Sequence, residues 1–151
     1  MTENIVAETA ERIFSDLADA QNLNNATNDG WKTPLWGALT DAGLPLTCVP
    51  EDCDGSGASL ADGFSVASSV GRFAVPVPLV ETMLAGWLLS QAGLPSPAGK
   101  MTVAPARPQD RVTISTDGSL SGRVRGVPFA SDAAHIAVIA QDAKGYSIAL
   151  V

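Results

Sequence analysis

Histidine and cysteine, which often carry catalysis or bind metals, are scarce in this 151-residue sequence, which has one histidine and two cysteines. Two thiolates and one distant imidazole do not complete a tetrahedral zinc site, so no metal centre is predicted. Cys48 and Cys53 are too few for a disulfide framework, which favours two reduced thiols. His135 lies beside an apolar strand with no serine motif near it, which favours a structural or surface role over acid–base chemistry.

Basic residues are also few, and acidic residues outnumber them. Nine Lys and Arg residues stand against sixteen Asp and Glu, and the net charge is −7. An acidic surface repels phosphate backbones, which argues against nucleic-acid binding. The same repulsion acts on a free polyanion such as a CoA thioester. Such a ligand would therefore need a local basic patch or helix N-termini.

The sequence contains no long uninterrupted apolar run. The most apolar stretch, 75–94, includes Pro76, Pro78 and Glu81 and is too short to span a bilayer. The start of the chain does not resemble a signal peptide. Together with the reduced thiols, these absences predict a cytoplasmic protein. Because 46% of the residues are hydrophobic and only 17% are charged, the chain can bury a core.

Helical periodicity dominates residues 1–95. The apolar face of the predicted first helix consists of Val6, Ala10, Ile13, Phe14 and Leu17. The polar run 21–30 that follows it is predicted to be a loop. For a second helix, Thr33 is the candidate cap, Pro34 suits the first position and Gly43 suits a left-handed exit.

Two further helices are predicted downstream. Ser59 and Asp62 have the spacing of a capping box for a helix that ends near Val70. After an extended link at 76–78, the fourth helix runs to Gly93. Its apolar positions are Val80, Met83, Leu84, Trp87 and Leu88. The aromatic residues predicted to pack in the core are Trp31, Trp36, Phe64, Phe73 and Trp87.

The pattern changes to short strands in residues 96–151. Strands are predicted at 101–104, 111–115, 119–127, 134–141 and 146–151. Asp117-Gly118 is a strong signal for a two-residue hairpin turn. The sequence therefore predicts an α+β protein, in which an N-terminal bundle of about four helices precedes an antiparallel β segment.

Several short motifs follow one another in a characteristic order. Residues 36–44 read WGALTDAGL, and residues 49–57 read VPEDCDGSG. They resemble the patterns W-x-x-L-x-x-x-G-L and V-P-E-x-x-G-G-x-G of the acyl-CoA dehydrogenase family, with Asp54 in place of one glycine. Later segments continue the likeness, which covers most of 31–141. These segments are 69–72, 76–82, 88–93, 120–123 and 133–136.

The resemblance implies a reaction and a cofactor. In that family FAD accepts a hydride from the β-carbon of an acyl-CoA, while a glutamate in the C-terminal helices removes the α-proton. It also implies that 1–95 is the N-terminal helical domain and 96–151 part of the middle β domain, with the C-terminal domain absent. No residue of this chain is therefore predicted to be catalytic.

The resemblance also points to a cofactor-binding segment. Val127 and Pro128 align with the last two residues of the family's flavin-facing W-[IV]-[TS] motif and are the predicted FAD-binding residues. Gly126 stands where the family has tryptophan, and Pro128 replaces the hydroxyl residue and lacks a backbone N–H.

Three functions stay open from the sequence. The first is an acyl-CoA dehydrogenase of fatty-acid or steroid catabolism, present as a fragment or divergent subunit that is inactive alone. The second is a non-catalytic partner subunit or binding module that associates with a complete acyl-CoA dehydrogenase. The third is a stand-alone binding module with no link to a flavin. The first two functions imply a homo- or hetero-oligomer, and none of the three implies a nucleic acid or a membrane as partner.

Overall fold

The computed structural model of the chain describes residues 4–151. The helices are α1 Ile5–Leu17, α2 Ala20–Asn25, α3 Lys32–Asp41, α4 Leu60–Phe73 and α5 Leu79–Gln91. The strands are β1 Met101–Ala104, β2 Arg111–Ile114, β3 Leu120–Arg123, β4 His135–Gln141 and β5 Tyr146–Leu150. Single 3-10 turns lie at Asp29–Trp31, Leu44–Leu46 and Glu51–Cys53. The predicted α+β class is confirmed.

The start of α4 is set by the predicted capping box. The Asp62 backbone N–H donates to Ser59 Oγ at 3.2 Å, and the Ser59 N–H donates to Asp62 Oδ2 at 3.0 Å. These hydrogen bonds satisfy backbone donors that the helix cannot pair internally. They also stabilise the ionised carboxylate, so the hydrogen bonds from Ser59 lower the pKa of Asp62 below its usual value.

Helix boundaries differ from the predictions in three places. The predicted loop at 21–30 contains α2, because Asp19 Oδ1 accepts from the backbone N–H groups of Gln21 and Asn22. Thr33 does not cap α3, since the 3-10 turn before it leads straight into the helix at Lys32. The third predicted helix, α4, continues past Val70 to Phe73 and ends through Ala74, which has a φ of +50°.

The helices share one apolar core. The α1 and α4 helices meet where the rings of Phe14 and Phe73 lie 5.7 Å apart between centroids. Phe14, Leu35, Leu39 and Val66 are completely buried in this cluster. Burying a side chain of this size contributes about 1.5–3 kcal/mol, so these four residues make a large contribution to the packing of the helices.

The sheet is mixed rather than antiparallel, which corrects the sequence prediction. Strand β4 pairs in parallel with β1, from Met101↔His135 to Ala104↔Val138, and antiparallel with β5. A parallel pair needs a long crossover, and the segment that holds the β2–β3 hairpin supplies it. The β2–β3 hairpin is confirmed, but its loop has three residues, 116–118, instead of the predicted two, because the Ser115 N–H donates to the Ser119 carbonyl at 3.0 Å.

Helix α5 packs against both the other helices and the sheet. Its Leu79 and Met83 belong to the helical core, whereas Ala85 and Leu89 pack with Met101 of β1. A buried polar contact fixes this junction, because the Met101 N–H donates to Thr82 Oγ1 at 3.0 Å. The Thr82 hydroxyl is itself satisfied by the Pro78 carbonyl at 2.6 Å. Across residues 4–151, no helix is long and apolar enough to cross a membrane.

Helix α4 approaches the preceding loop closely at Gly63. A Cβ atom built on Gly63 would lie 2.0 Å from Cys48 Sγ, and the residue is buried. That separation is far below van der Waals contact, so only glycine fits without movement of the loop. Gly71 on the same helix has open space around it.

We expect Gly63→Ala to lower the free energy of unfolding by about 1–3 kcal/mol, because the added methyl group overpacks the contact. Gly71→Ala, the matched control, should instead raise it by about 0.5–1 kcal/mol. Urea unfolding of both variants measures the difference. Adding Cys48→Ala to Gly63→Ala should recover part of the loss, and equal losses in the two glycine variants would contradict this packing.

A polar cluster joins α1 to α4. Ser69 Oγ donates to Glu11 Oε1 at 2.8 Å, and Arg72 forms an ion pair with the other carboxylate oxygen of Glu11. Both contacts favour the charged carboxylate. The hydrogen bond from Ser69, followed by the one from Arg72, lowers the pKa of Glu11 below its usual 4.5.

This cluster should make stability depend on pH. Because the pKa of Glu11 is lower in the folded state, its contribution is present above pH 4.5 and is lost as the pH falls through the folded-state pKa. We therefore expect Glu11→Gln to melt at a lower temperature than the unchanged chain at neutral pH, with the gap closing in acid. Thermal melts over a pH series test this, with the exposed Glu8→Gln as control. A gap that is independent of pH would contradict it.

Candidate functional site

An apolar cleft of about 320 Å³ opens between α4 and α5. Its lining residues are Cys48, Leu60, Gly63, Phe64, Ala67, Val80, Met83, Leu84 and Trp87. Three of them form a rim that faces solvent, since Phe64 is 74% exposed, Leu60 50% and Leu84 44%. Large apolar side chains concentrated in one exposed place mark a binding surface. The volume lies in the usual range for small-molecule sites.

Helical spacing explains how the sequence builds the cleft. Leu60, Phe64 and Ala67 follow one another at i, i+4 and i+7, which forms a second apolar stripe on α4 beside the one that enters the core. Helix α5 presents Val80, Leu84 and Trp87 at the same spacing. Sequence reasoning assigned Phe64 to the core and missed the cleft, although this second stripe was a signal that could have found it.

The cleft can bind an apolar group but offers no base. Cys48 is the one titratable side chain among its lining residues. Burial, with a smaller contribution from the Asp62 carboxylate, raises the pKa of the Cys48 thiol, so the thiol is protonated at neutral pH. Removal of a proton next to a thioester requires a positioned base such as a carboxylate. The described part of the chain places none in the cleft lining.

Val127 and Pro128 lie elsewhere, in the irregular segment after β3. Val127 is half-buried and Pro128 is exposed. The Pro128 carbonyl accepts a hydrogen bond of 2.7 Å from Thr102 Oγ1, which ties the segment to β1. Neither residue lines the cleft. Their assignment to FAD binding stays a prediction.

The segment 126–128 offers few of the groups that would hold a flavin ring. Gly126 has a φ of +64° and carries no ring, and the Arg107 guanidinium would lie 3.2 Å from a Cβ atom there. Pro128 has neither a hydroxyl nor a backbone N–H to donate, and its carbonyl is already bonded to Thr102. The segment thus presents flavin with an apolar valine and lacks the aromatic and hydroxyl groups of the family motif. These residues do not fit the flavin ring by themselves.

The remaining candidate side chains do not assemble a second site. His135 is half-buried at the start of β4, in register with Met101. Cys48 and Cys53 are both free thiols, and burial followed by the charge of Asp52 raises the pKa of Cys53. Within residues 4–151, no three His, Cys, Asp or Glu side chains come together as metal ligands.

No family model matches the sequence, but curated relatives do. Acyl-CoA dehydrogenase IpdE2 of Mycobacterium tuberculosis is 28% identical over 107 residues, which is 70% of this chain and 34% of that protein. IpdE2 of Mycolicibacterium smegmatis is 28% identical over 131 residues, covering 85% and 42% respectively. Acyl-CoA dehydrogenase FadE34 of M. tuberculosis is 35% identical over 68 residues, only 9% of its length.

Two solved structures share the fold. A variant of the Tcur3481–Tcur3483 steroid ACAD (acyl-CoA dehydrogenase) superposes with a TM-score of 0.77 at 28% identity. The match covers 97% of this chain and 46% of that chain. The ChsE4–ChsE5 complex of M. tuberculosis reaches 0.71 at 21% identity and shows the fold alone. The chain spans less than half the length of each of these proteins. Over the part that it spans, the chain is similar in sequence and fold to proteins named acyl-CoA dehydrogenases.

Proposed function

We propose that this chain is the acyl-binding part of an FAD-dependent acyl-CoA dehydrogenase subunit that catalyses α,β-dehydrogenation of an acyl-CoA thioester. In this proposal residues 1–95 form the N-terminal helical domain and 96–151 part of the middle β domain. The observation that carries the proposal is the cleft between α4 and α5, which is lined by apolar groups and a neutral thiol. An apolar lining of this kind suits the acyl part of the substrate.

The chain's own residues have a limited role in the reaction. The cleft walls bind the acyl group and exclude water from it, which favours a defined orientation of the thioester end. Because no carboxylate lines the cleft and the segment 126–128 does not fit the flavin ring, we assign the base and the contacts to the flavin ring to residues outside this chain. The steroid ACAD among the structural neighbours supports a bulky polycyclic acyl group as the substrate class.

A second candidate is a non-catalytic subunit that supports a complete acyl-CoA dehydrogenase. The altered segment 126–128 favours this candidate. So do the two structurally similar proteins, since each is named as a combination of two different proteins, Tcur3481 with Tcur3483 and ChsE4 with ChsE5. In this case the cleft need not bind substrate. Co-expression distinguishes the candidates, since a partner subunit would co-purify with a complete dehydrogenase and acquire a flavin colour only within that assembly.

Acyl-group binding can be tested with the tryptophan in the cleft. We expect a steroid side-chain acyl-CoA to change the fluorescence of Trp87, and CoA without an acyl group to leave it unchanged. The signal should vanish in Trp87→Phe and persist in Trp31→Phe. Ala67→Phe, which fills the cleft, should raise the dissociation constant about tenfold.

The control for cleft filling is Ala61→Phe, which adds the same ring on an exposed position of α4 outside the cleft lining. Its affinity for the acyl-CoA should equal that of the unchanged chain. A comparable loss in both variants, or a response to CoA as large as that to the acyl-CoA, would show that the cleft does not bind the acyl group.

The absence of a base in the cleft predicts that the chain alone does not oxidise an acyl-CoA. An assay with an artificial electron acceptor and added FAD should give no turnover above the buffer rate. Turnover should appear when the remaining catalytic residues are supplied by a longer reading frame or a partner subunit. Oxidation by the isolated 151-residue chain would disprove the assignment of the base to another segment.

A further inference from the structure

Basic side chains are concentrated at the base of the β2–β3 hairpin. Four of the nine Lys and Arg residues of the chain are Arg107, Arg111, Arg123 and Arg125, and all four are exposed. We call this group the arginine patch. The rest of the chain is strongly acidic, so the patch is a local positive potential on a molecule that otherwise repels anions.

The pairing register brings two of these arginines together. Arg111 and Arg123 are direct partners in the antiparallel β2–β3 pair, so their side chains leave the sheet on the same face. Two like charges in directly opposite positions destabilise a hairpin. The three salt bridges found in residues 4–151 involve Lys32 and Arg72 and leave the patch without a carboxylate partner.

The backbone around the patch is held in place. Gly122 has a φ of +150°, and a Cβ atom there would lie 2.4 Å from the Arg111 carbonyl oxygen, so the strands approach closely beside the arginine pair. The nearest carboxylate in sequence, Asp110, accepts a hydrogen bond of 2.7 Å from the backbone N–H of Arg125. It thereby fixes the chain beyond β3 instead of neutralising a guanidinium group.

We propose that the arginine patch binds the phosphate groups of a pyrophosphate-bearing ligand. Guanidinium groups match phosphate oxygens through paired hydrogen bonds, and Arg is the residue best suited to this recognition. An anion placed between Arg111 and Arg123 also turns their mutual repulsion into attraction. Two ligands share this chemistry, namely the CoA end of an acyl-CoA and the pyrophosphate of a dinucleotide cofactor.

That the patch binds phosphate groups is argued from the positions of the arginines, whereas the choice between these two ligands rests on the proposed function. The competing explanation is that the arginines only protect β3, which lies at the edge of the sheet, from pairing with other chains. That explanation requires no anion binding. Inorganic pyrophosphate separates the two, because it has neither an acyl group nor a flavin.

The experiment compares the 151-residue chain with Arg111→Gln/Arg123→Gln. Arg12→Gln/Lys144→Gln is the matched control, because it removes the same charge from exposed positions outside the patch. Calorimetric titrations use inorganic pyrophosphate, CoA and FAD in turn, at low and high salt. Losing two charge-assisted contacts should weaken binding in the patch variant by about tenfold or more, and the control should bind like the unchanged chain.

Thermal melts check folding and give a second readout. Without ligand, the patch variant should melt no lower than the unchanged chain, because a like-charge repulsion has been removed. With pyrophosphate, the unchanged chain and the control should gain stability, and the patch variant should not.

The outcomes are distinct. Loss of CoA binding in the patch variant assigns the patch to substrate, and loss of FAD binding assigns it to a cofactor. Equal weakening in the patch variant and the control overturns the proposal, because net charge alone would then explain binding. Absence of pyrophosphate binding to the unchanged chain also overturns it and leaves edge protection. Neither negative result bears on the proposal that the cleft binds an acyl group, which is tested separately by Trp87 fluorescence and the Ala67→Phe variant.

Discussion

Burial of helix α5 is the constraint on which the other parts of the structure depend. Its sequence is apolar on almost every side, and such a helix must be covered on several sides to be stable in water. One part packs into the helical core through Leu79 and Met83, and another packs on the sheet through Ala85 and Leu89. The hydrogen bond between Thr82 and Met101 fixes the two halves at this junction.

The candidate cleft follows from the same constraint. Helix α5 lines the cleft with Leu84 and Trp87, and α4 lies against Cys48 at Gly63, where the absence of a side chain permits the close approach. The apolar surface left between the helices is therefore a cleft with a buried floor at Met83 and an exposed rim at Phe64. Binding of an apolar group here would bury the rim side chains, such as Phe64, that the fold leaves exposed to solvent.

Local signals in the sequence were reliable where the structure depends on neighbouring residues. The capping box of Ser59 and Asp62 and the position of the hairpin at Asp117-Gly118 were both predicted correctly, because their hydrogen bonds close within a few residues. The parallel pairing of β1 with β4 was not predicted, because alternation along a strand does not specify the direction of its partner. Phe64 was assigned to the core, because an apolar stripe has the same spacing whether it is covered or open.

The sequence by itself determined four of the five helices, the approximate positions of the five strands, the order of the family motifs and the acidic net charge. All of these depend on residue identity and short spacing. Only the tertiary structure decided which apolar stripe stays uncovered between α4 and α5, and that Arg111 stands directly opposite Arg123. Both depend on long-range packing and strand register, which bring together side chains that are distant along the chain.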